Sequence, residues 1–281
     1  VSLTGASLNA AQQRALGTQA ATATLANASV TVDGAAESYP AGSVRASVPA
    51  RAADALTAWS LAEDGAISAV GGAWDAQQQT YTFDVVSGVT AIARFPFTDV
   101  PAGSWYYGAA AYAYNNGLFG GTSPTTFAPS AVMSRAMFVT VLWRLAGAPA
   151  PKGVNTFSDV PGGTWYTDAV TWAAENGVVS GIGGGRFAPN SNVTREQTAE
   201  ILFNYAHSCG YDVGARADLS AFPDAGSVSG WAQDALSWAN AAGLINGTLY
   251  GGRTILDPQG SASRAQVAMI LRSYAEHVVN A

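Results

Sequence analysis

Three arginines occupy one recurring position: Arg135 after Ser134, Arg195 after Thr194 and Arg264 after Ser263. Each stands between a hydroxyl residue and an apolar-periodic segment, and so on the first turn of a predicted helix. The hydroxyl can accept a hydrogen bond from the free backbone N–H groups of that turn. Gln197 and Gln266, three residues on, can reach back to complete a capping box. Met137 holds that place in the first copy and cannot do so. A cation at the positive end of a helix runs against the helix electrostatics, so each arginine needs a partner. Two candidates stand level on chemistry. One is the acid of a recurring Phe-x-Asp, at Asp99, Asp159 or Asp224, which would make the arginine a joint within or between copies. The other is a carboxylate on a ligand, met by the planar guanidinium fork beside helix N–H groups that also favour anions.

The other recurring residues also have two readings. Trp105, Trp165 and Trp231 are either plugs between a helix and the core or flat walls for the apolar face of a sugar ring. Asp99, Asp159 and Asp224 either cap the turn that follows them or accept bonds from sugar hydroxyls. Gly121, Gly181 and Gly247 let backbone approach closely, in a turn or at a ligand.

These residues are carried by a unit that occurs three times. The copies open at Phe97-Thr-Asp99, Phe157-Ser-Asp159 and Phe222-Pro-Asp224, with a tryptophan a few residues on. Helices are predicted over Ala109–Asn116, Ala169–Asn176 and Ala235–Ala242, stopped by Gly117, Gly177 and Gly243. A Gly/Thr/Ser-rich loop then closes at Phe127-Ala-Pro129, Phe187-Ala-Pro189 or Leu256-Asp-Pro258. The second helix, opened by the capped arginine, ends near Leu145, Tyr205 or Tyr274. The third copy carries a longer loop over Thr248–Ile255.

The combination of Phe-x-Asp, Trp, a glycine-bounded loop and a Thr-Arg-Ala-Glu-like motif resembles S-layer homology (SLH) repeats, three in tandem from residue 94 to the end. No copy keeps the motif's final Glu (Met137, Gln197 and Gln266 replace it), and Glu196 replaces a small residue in copy two. The resemblance implies one all-α, pseudo-threefold domain over 94–281, with a central helical bundle and grooves between repeats 94–150, 151–217 and 218–281. It also implies binding of secondary cell-wall polysaccharide, often through acidic, pyruvylated sugars, and tips the arginines toward the ligand reading. Copy two, with the most family-like motif, is the expected working groove. The location implied is extracellular, at the bacterial cell surface.

Residues 1–93 read differently. A short helix is expected over Ser7–Leu16. Alternating segments at Ser29–Asp33, Ser43–Val48, Leu56–Ala62, Thr80–Val86 and Gly88–Ala93, with Trp74-Asp75 between, predict a small antiparallel β module. It resembles the β modules that precede anchoring repeats in bacterial surface proteins. Trp59, Trp74 and Phe83 are expected in its core. The fold class is therefore α+β overall, and a further upstream part is expected to be missing.

Composition narrows the function. Charged residues make up 11% of the chain and the net charge is −6 with 13 Lys plus Arg, which argues against nucleic acid. One cysteine, Cys209, excludes a disulfide framework and a thiolate metal cluster. No apolar run is long enough to span a membrane. No metal, cofactor or catalytic residue is expected. A glycan hydrolase needs two carboxylates flanking a bond, and only one aligned acid per repeat holds in all three copies. His207 and His277 lie near helix ends with no nucleophile at readable spacing. A lattice protein that assembles with itself remains the rival, with strand edges in 1–93 as its surface.

Overall fold

The Val-, Thr- and Tyr-rich segments near the N-terminus become strands in this computed structural model, which describes residues 2–4, 6–32, 35–37, 45–50, 56–70, 72–75, 77–85 and 88–279. Two compact units are present, Val1–Ala128 and Pro129–Ala281.

In the first unit the strands are β1 (Ser2–Thr4), β2 (Thr24–Val32), β3 (Ala35–Glu37), β4 (Arg45–Pro49), β5 (Leu56–Leu61), β6 (Ile67–Ala69), β7 (Gly72–Asp75), β8 (Thr80–Asp84) and β9 (Gly88–Arg94). One sheet runs β1-β2-β9-β5-β6, with β3 also on β2, and a second runs β4-β8-β7. Every pairing is antiparallel. β1, β3 and β6 go beyond the expected strands, and β2 begins earlier than Ser29. The expected strand ends at Asp33, Ser43 and Val86 lie outside the described residues, as does the Trp74 side chain. Alternation places Ala58 and Ile92 against Tyr81, Phe83 and Val85 in one buried cluster. Trp59 and Phe83 are buried, as expected.

The first helix, α1 (Ala10–Leu16), starts later than Ser7 because Asn9 takes the cap: its side chain accepts from Gln12 N at 2.9 Å and Gln12 Oε1 accepts from Asn9 N at 3.0 Å. The opening helix of the first repeat, α2 (Tyr107–Asn115), belongs to this unit. Buried Trp59 donates its indole N–H to the Tyr107 hydroxyl at 2.9 Å, and Phe95 and Phe97 pack edge-on against Tyr114.

The second unit contains α3 (Arg135–Leu145), α4 (Thr167–Glu175), α5 (Arg195–Ser208), α6 (Gln233–Ala241) and α7 (Arg264–Tyr274). Thr194/Gln197 and Ser263/Gln266 form complete capping boxes, whereas Ser134 caps Met137 N without a return bond. Gly117, Gly177 and Gly243 end the preceding helices at φ of +67°, +69° and +71°, the left-handed turn that a side chain would resist. The all-α expectation needs one correction. The long third-copy loop is a hairpin of β10 (Thr248–Tyr250) and β11 (Arg253–Ile255). Its Gly251-Gly252 turn has positive φ at both residues, which brings the flanking Thr and Tyr into strand pairing.

The segments just ahead of the capped helices close a ring. Met133 N–H donates to Ala262 O, Ala262 N–H to Val193 O, and Val193 N–H to Met133 O, at 2.9, 3.0 and 2.9 Å. Met133, Val193 and Ala262 are all fully buried. The free N–H groups of each helix are also satisfied from the adjacent copy: Arg135 N by Ser191 O, Arg195 N by Gly260 O and Arg264 N by Ala131 O, each at 2.9 Å. The helix starts are thus fixed by backbone bonds between copies, which a side-chain pattern does not encode.

Candidate functional site

The opening aspartates hold their own loops. Asp159 accepts from Phe187 N and Ala188 N, both at 2.8 Å. Asp99 bonds Phe127 N and Ala128 N, and Asp224 bonds Leu256 N and Asp257 N, in the same way. In each copy the residue before the proline is forced to positive φ: +58° at Ala128 and Ala188, +50° at Asp257. For residues with a Cβ this costs about 1–2 kcal/mol, which two charge-assisted bonds per loop offset. Burial works to raise the Asp159 pKa. The bonds from Phe187 and Ala188, with the charge of Arg186, outweigh it and hold the carboxyl below its ordinary value.

That twist presents the preceding carbonyl to the arginine of another copy. Arg135 Nε donates to Phe187 O at 2.9 Å and Arg195 Nε to Leu256 O at 2.7 Å. The Arg135 guanidinium also lies 4.8 Å from the Phe187 ring centroid. Both arginines are buried, which lowers their pKa, opposed by Asp159 for Arg135 and by Asp257 and Asp224 for Arg195. A joint was one of the two expected readings, with a direct Arg–Asp bond as its means. Instead one peptide group connects each arginine to the aspartate: carboxylate to N–H on one side, carbonyl to guanidinium on the other. Arg264 sits at the matching position on α7.

A cleft of about 420 Å³ opens in the second unit, lined by Arg135, Gly181, Gln197, Glu200, Asn204 and Trp231 among others. It joins three sequence-predicted site residues from three repeats: Arg135, Gly181 and Trp231. Two of the five Arg135 N–H donors are taken by Phe187 O and, at 3.3 Å, Gln197 Oε1. Trp231 is 55% exposed, and Trp165 and Trp105 are similarly exposed at 59% and 62%. None of the three plugs a core. Gly181 is required locally as well, since a Cβ there would meet Arg186 O at 2.6 Å and the Phe157 ring at 2.7 Å. The same opening-Phe ring crowds Gly121 and Gly247. Asp159, Asp224, Arg195, Arg264, Trp165 and Gly247 do not line this cleft, and Asp99, Gly121 and Trp105 belong to the first unit.

Sequence reading missed three features. Gln197 was seen only as a cap. Glu200 and Asn204 complete one polar face of α5 at spacings i, i+3 and i+7, a signal visible in the sequence had the copies been compared within this helix. Glu196 is buried and accepts from Ser229 N, Ser229 Oγ and Gln259 Nε2 at 3.1, 2.9 and 2.8 Å. It fixes the loop that delivers Trp231. Among the described residues, no helix is long and apolar enough to cross a membrane.

Comparison with known proteins agrees with this repeat structure. Residues 96–137, 156–199 and 221–268 match the S-layer homology domain, and the chain carries three such domains in tandem. It is 33% identical over 162 residues to the surface-layer 125 kDa protein of Lysinibacillus sphaericus, covering 58% of this chain and 13% of that one. An endoglucanase of Bacillus sp. (strain KSM-635) is 32% identical over 177 residues (63% of this chain, 18% of the enzyme). The S-layer protein sap of Bacillus anthracis is 32% identical over 127 residues (44% and 15%). The chain thus spans less than a fifth of each of these relatives. The SLH domains and the S-layer relatives indicate a cell-surface, cell-wall location and support an anchoring role.

Proposed function

We propose that this chain anchors a bacterial surface protein to the cell wall by binding secondary cell-wall polysaccharide in grooves between its repeats, with acidic, pyruvylated sugars as the recognised units. The observation that carries this reading is the cleft gathering Arg135, Gly181 and Trp231. A guanidinium with donors to spare, an exposed indole face and closely approaching backbone suit a sugar bearing a carboxylate. The three copies act as one pseudo-threefold domain around a central helical bundle, a reading supported by the closed ring through Met133, Val193 and Ala262. Its grooves are unequal. The working one uses the copy-two helix α5, whose Gln197 is complemented by Arg135 of copy one. Several sites on one body gain avidity on a repeating polymer. Residues 1–93 serve as spacer or assembly surface, and the chain's role is to anchor rather than to catalyse.

Co-sedimentation with cell-wall sacculi, native and acid-stripped of polysaccharide, tests this. Binding to native walls alone, weakened by Arg135→Ala in a protein that keeps its helical circular dichroism, is the expected result. Pelleting without any wall would instead favour self-assembly into a lattice. Equal binding to stripped walls would remove the polysaccharide from the account.

A further inference from the structure

The cleft holds a carboxylate that the anchoring reading does not use. Glu200 lies on α5 between Gln197 and Asn204, one helical face lining the cleft. Its side chain is half-buried, and the hydrogen bond it accepts from Asn204 Nδ2 is a long one, 3.4 Å. No cation lies within ion-pair distance of it among the described residues. A carboxylate withdrawn from water with so little compensation costs stability, so its placement requires another explanation. The other two copies lack this polar row: the equivalent positions are Met137, Thr140 and Arg144 on α3 and Gln266, Met269 and Ser273 on α7. Gln197 recurs as Gln266, so Glu200 and Asn204 are what distinguish one groove from the others, where residues serving the shared scaffold would recur in all copies.

Resting on the anchoring reading, we infer that Glu200, supported by Asn204, is a specificity-determining residue that accepts a pair of neighbouring sugar hydroxyls while Arg135 takes the anionic substituent. An ionised carboxylate is acceptor-only, with two oxygens spaced to receive two donors, and a vicinal diol supplies two. Asn204 holds one of those oxygens in place from one turn along the helix. The class of ligand selected is thus an acidic sugar with a free vicinal diol, presented against Trp231.

Periodate tests this, because it cleaves the carbon–carbon bond between vicinal hydroxyls and leaves isolated carboxylates in place. The probe is polysaccharide released from sacculi of the source organism, untreated or oxidised with periodate and then reduced with borohydride. Its affinity is measured by titration calorimetry for wild type, Glu200→Gln and Asn204→Ala, each checked for folding. Wild type is expected to bind the untreated polymer about tenfold more tightly than the oxidised one. Glu200→Gln should bind both at the weaker level, with Asn204→Ala between. A Glu200→Gln protein that keeps the wild-type preference for untreated polymer overturns this role and leaves the anchor standing. Failure of wild type to bind either polymer overturns both.

Discussion

Arg195 Nε donates a 2.7 Å hydrogen bond to the carbonyl of Leu256, 61 residues away in the next repeat. The N–H of that same peptide group, on Asp257, is in turn held by Asp224 at 2.7 Å. This relay turns the most conspicuous charged residue of copy two into a joint. Arg195 does not line the cleft, whereas Arg135, its counterpart in copy one, belongs to both the joint and the cleft.

Arg195→Ala should therefore be a stability variant. It strands a buried carbonyl and leaves a void, a loss of about 2–4 kcal/mol. Thermal unfolding followed by circular dichroism should show a fall in Tm of about 5–15 °C. Arg195→Lys should recover only part of this, because a single ammonium cannot reproduce the planar fork. A Tm within 2 °C of wild type for Arg195→Ala would show that the relay contributes nothing.

Asp159 gives the joint a pH dependence. Its pKa lies below the ordinary 3.8 in the folded protein. It therefore contributes stability that is present above that value and is lost as pH falls through the folded pKa. Comparing wild type with Asp159→Asn from pH 6 to pH 2 should show a gap in Tm at pH 6 that closes below pH 4. A gap of constant size would assign the stabilisation to packing instead.

Glu196 acts on the cleft from behind. Copies one and three carry Ala136 and Ala265 at its position, so Glu196→Ala fits the helix sterically. Its cost is the three bonds to Ser229 and Gln259, whose freed donors can rehydrate, about 1 kcal/mol net. Because Ser229 lies two residues before Trp231, wall binding should weaken by more than the modest change in Tm would suggest. Unchanged binding would dissociate Trp231 from its support.

Glu200 is held above its usual pKa, chiefly by burial, with Asn204 opposing and Asp234 reinforcing the shift; Arg135 shares its cleft. A raised folded pKa means that ionisation costs stability as pH rises above 4.5. Glu200→Gln should then match wild type near pH 4 and exceed it slightly, by about 1 °C, at pH 7. Greater stability joined to weaker binding would mark a residue retained for its ligand. A loss of stability at pH 7 would mark Glu200 as structural.

The repeat, its caps and its helix-ending glycines were legible in the sequence because each is local. Ser or Thr with Gln three residues on specifies a helix start, and Gly117, Gly177 and Gly243 specify its end. The Arg195–Leu256 bond was not legible, because a backbone carbonyl carries no side-chain signature and its exposure depends on a strained residue, Asp257, set by Asp224. The tryptophans were ambiguous for another reason: spacing alone does not say on which side of a 3₁₀ turn Trp231 emerges. Glu200 was passed over because it is absent from the other two copies, and attention to what repeats hides what does not.

The central claim is that the cleft holds wall polysaccharide, and Trp231 tests it most directly, being exposed and therefore removable without loss of fold. Titration of released wall polysaccharide into wild type and Trp231→Ala, with Tm measured in parallel, is the experiment. The account predicts affinity reduced about tenfold or more with Tm changed by less than about 2 °C. Undiminished affinity in a folded Trp231→Ala protein would contradict it and place binding outside this cleft.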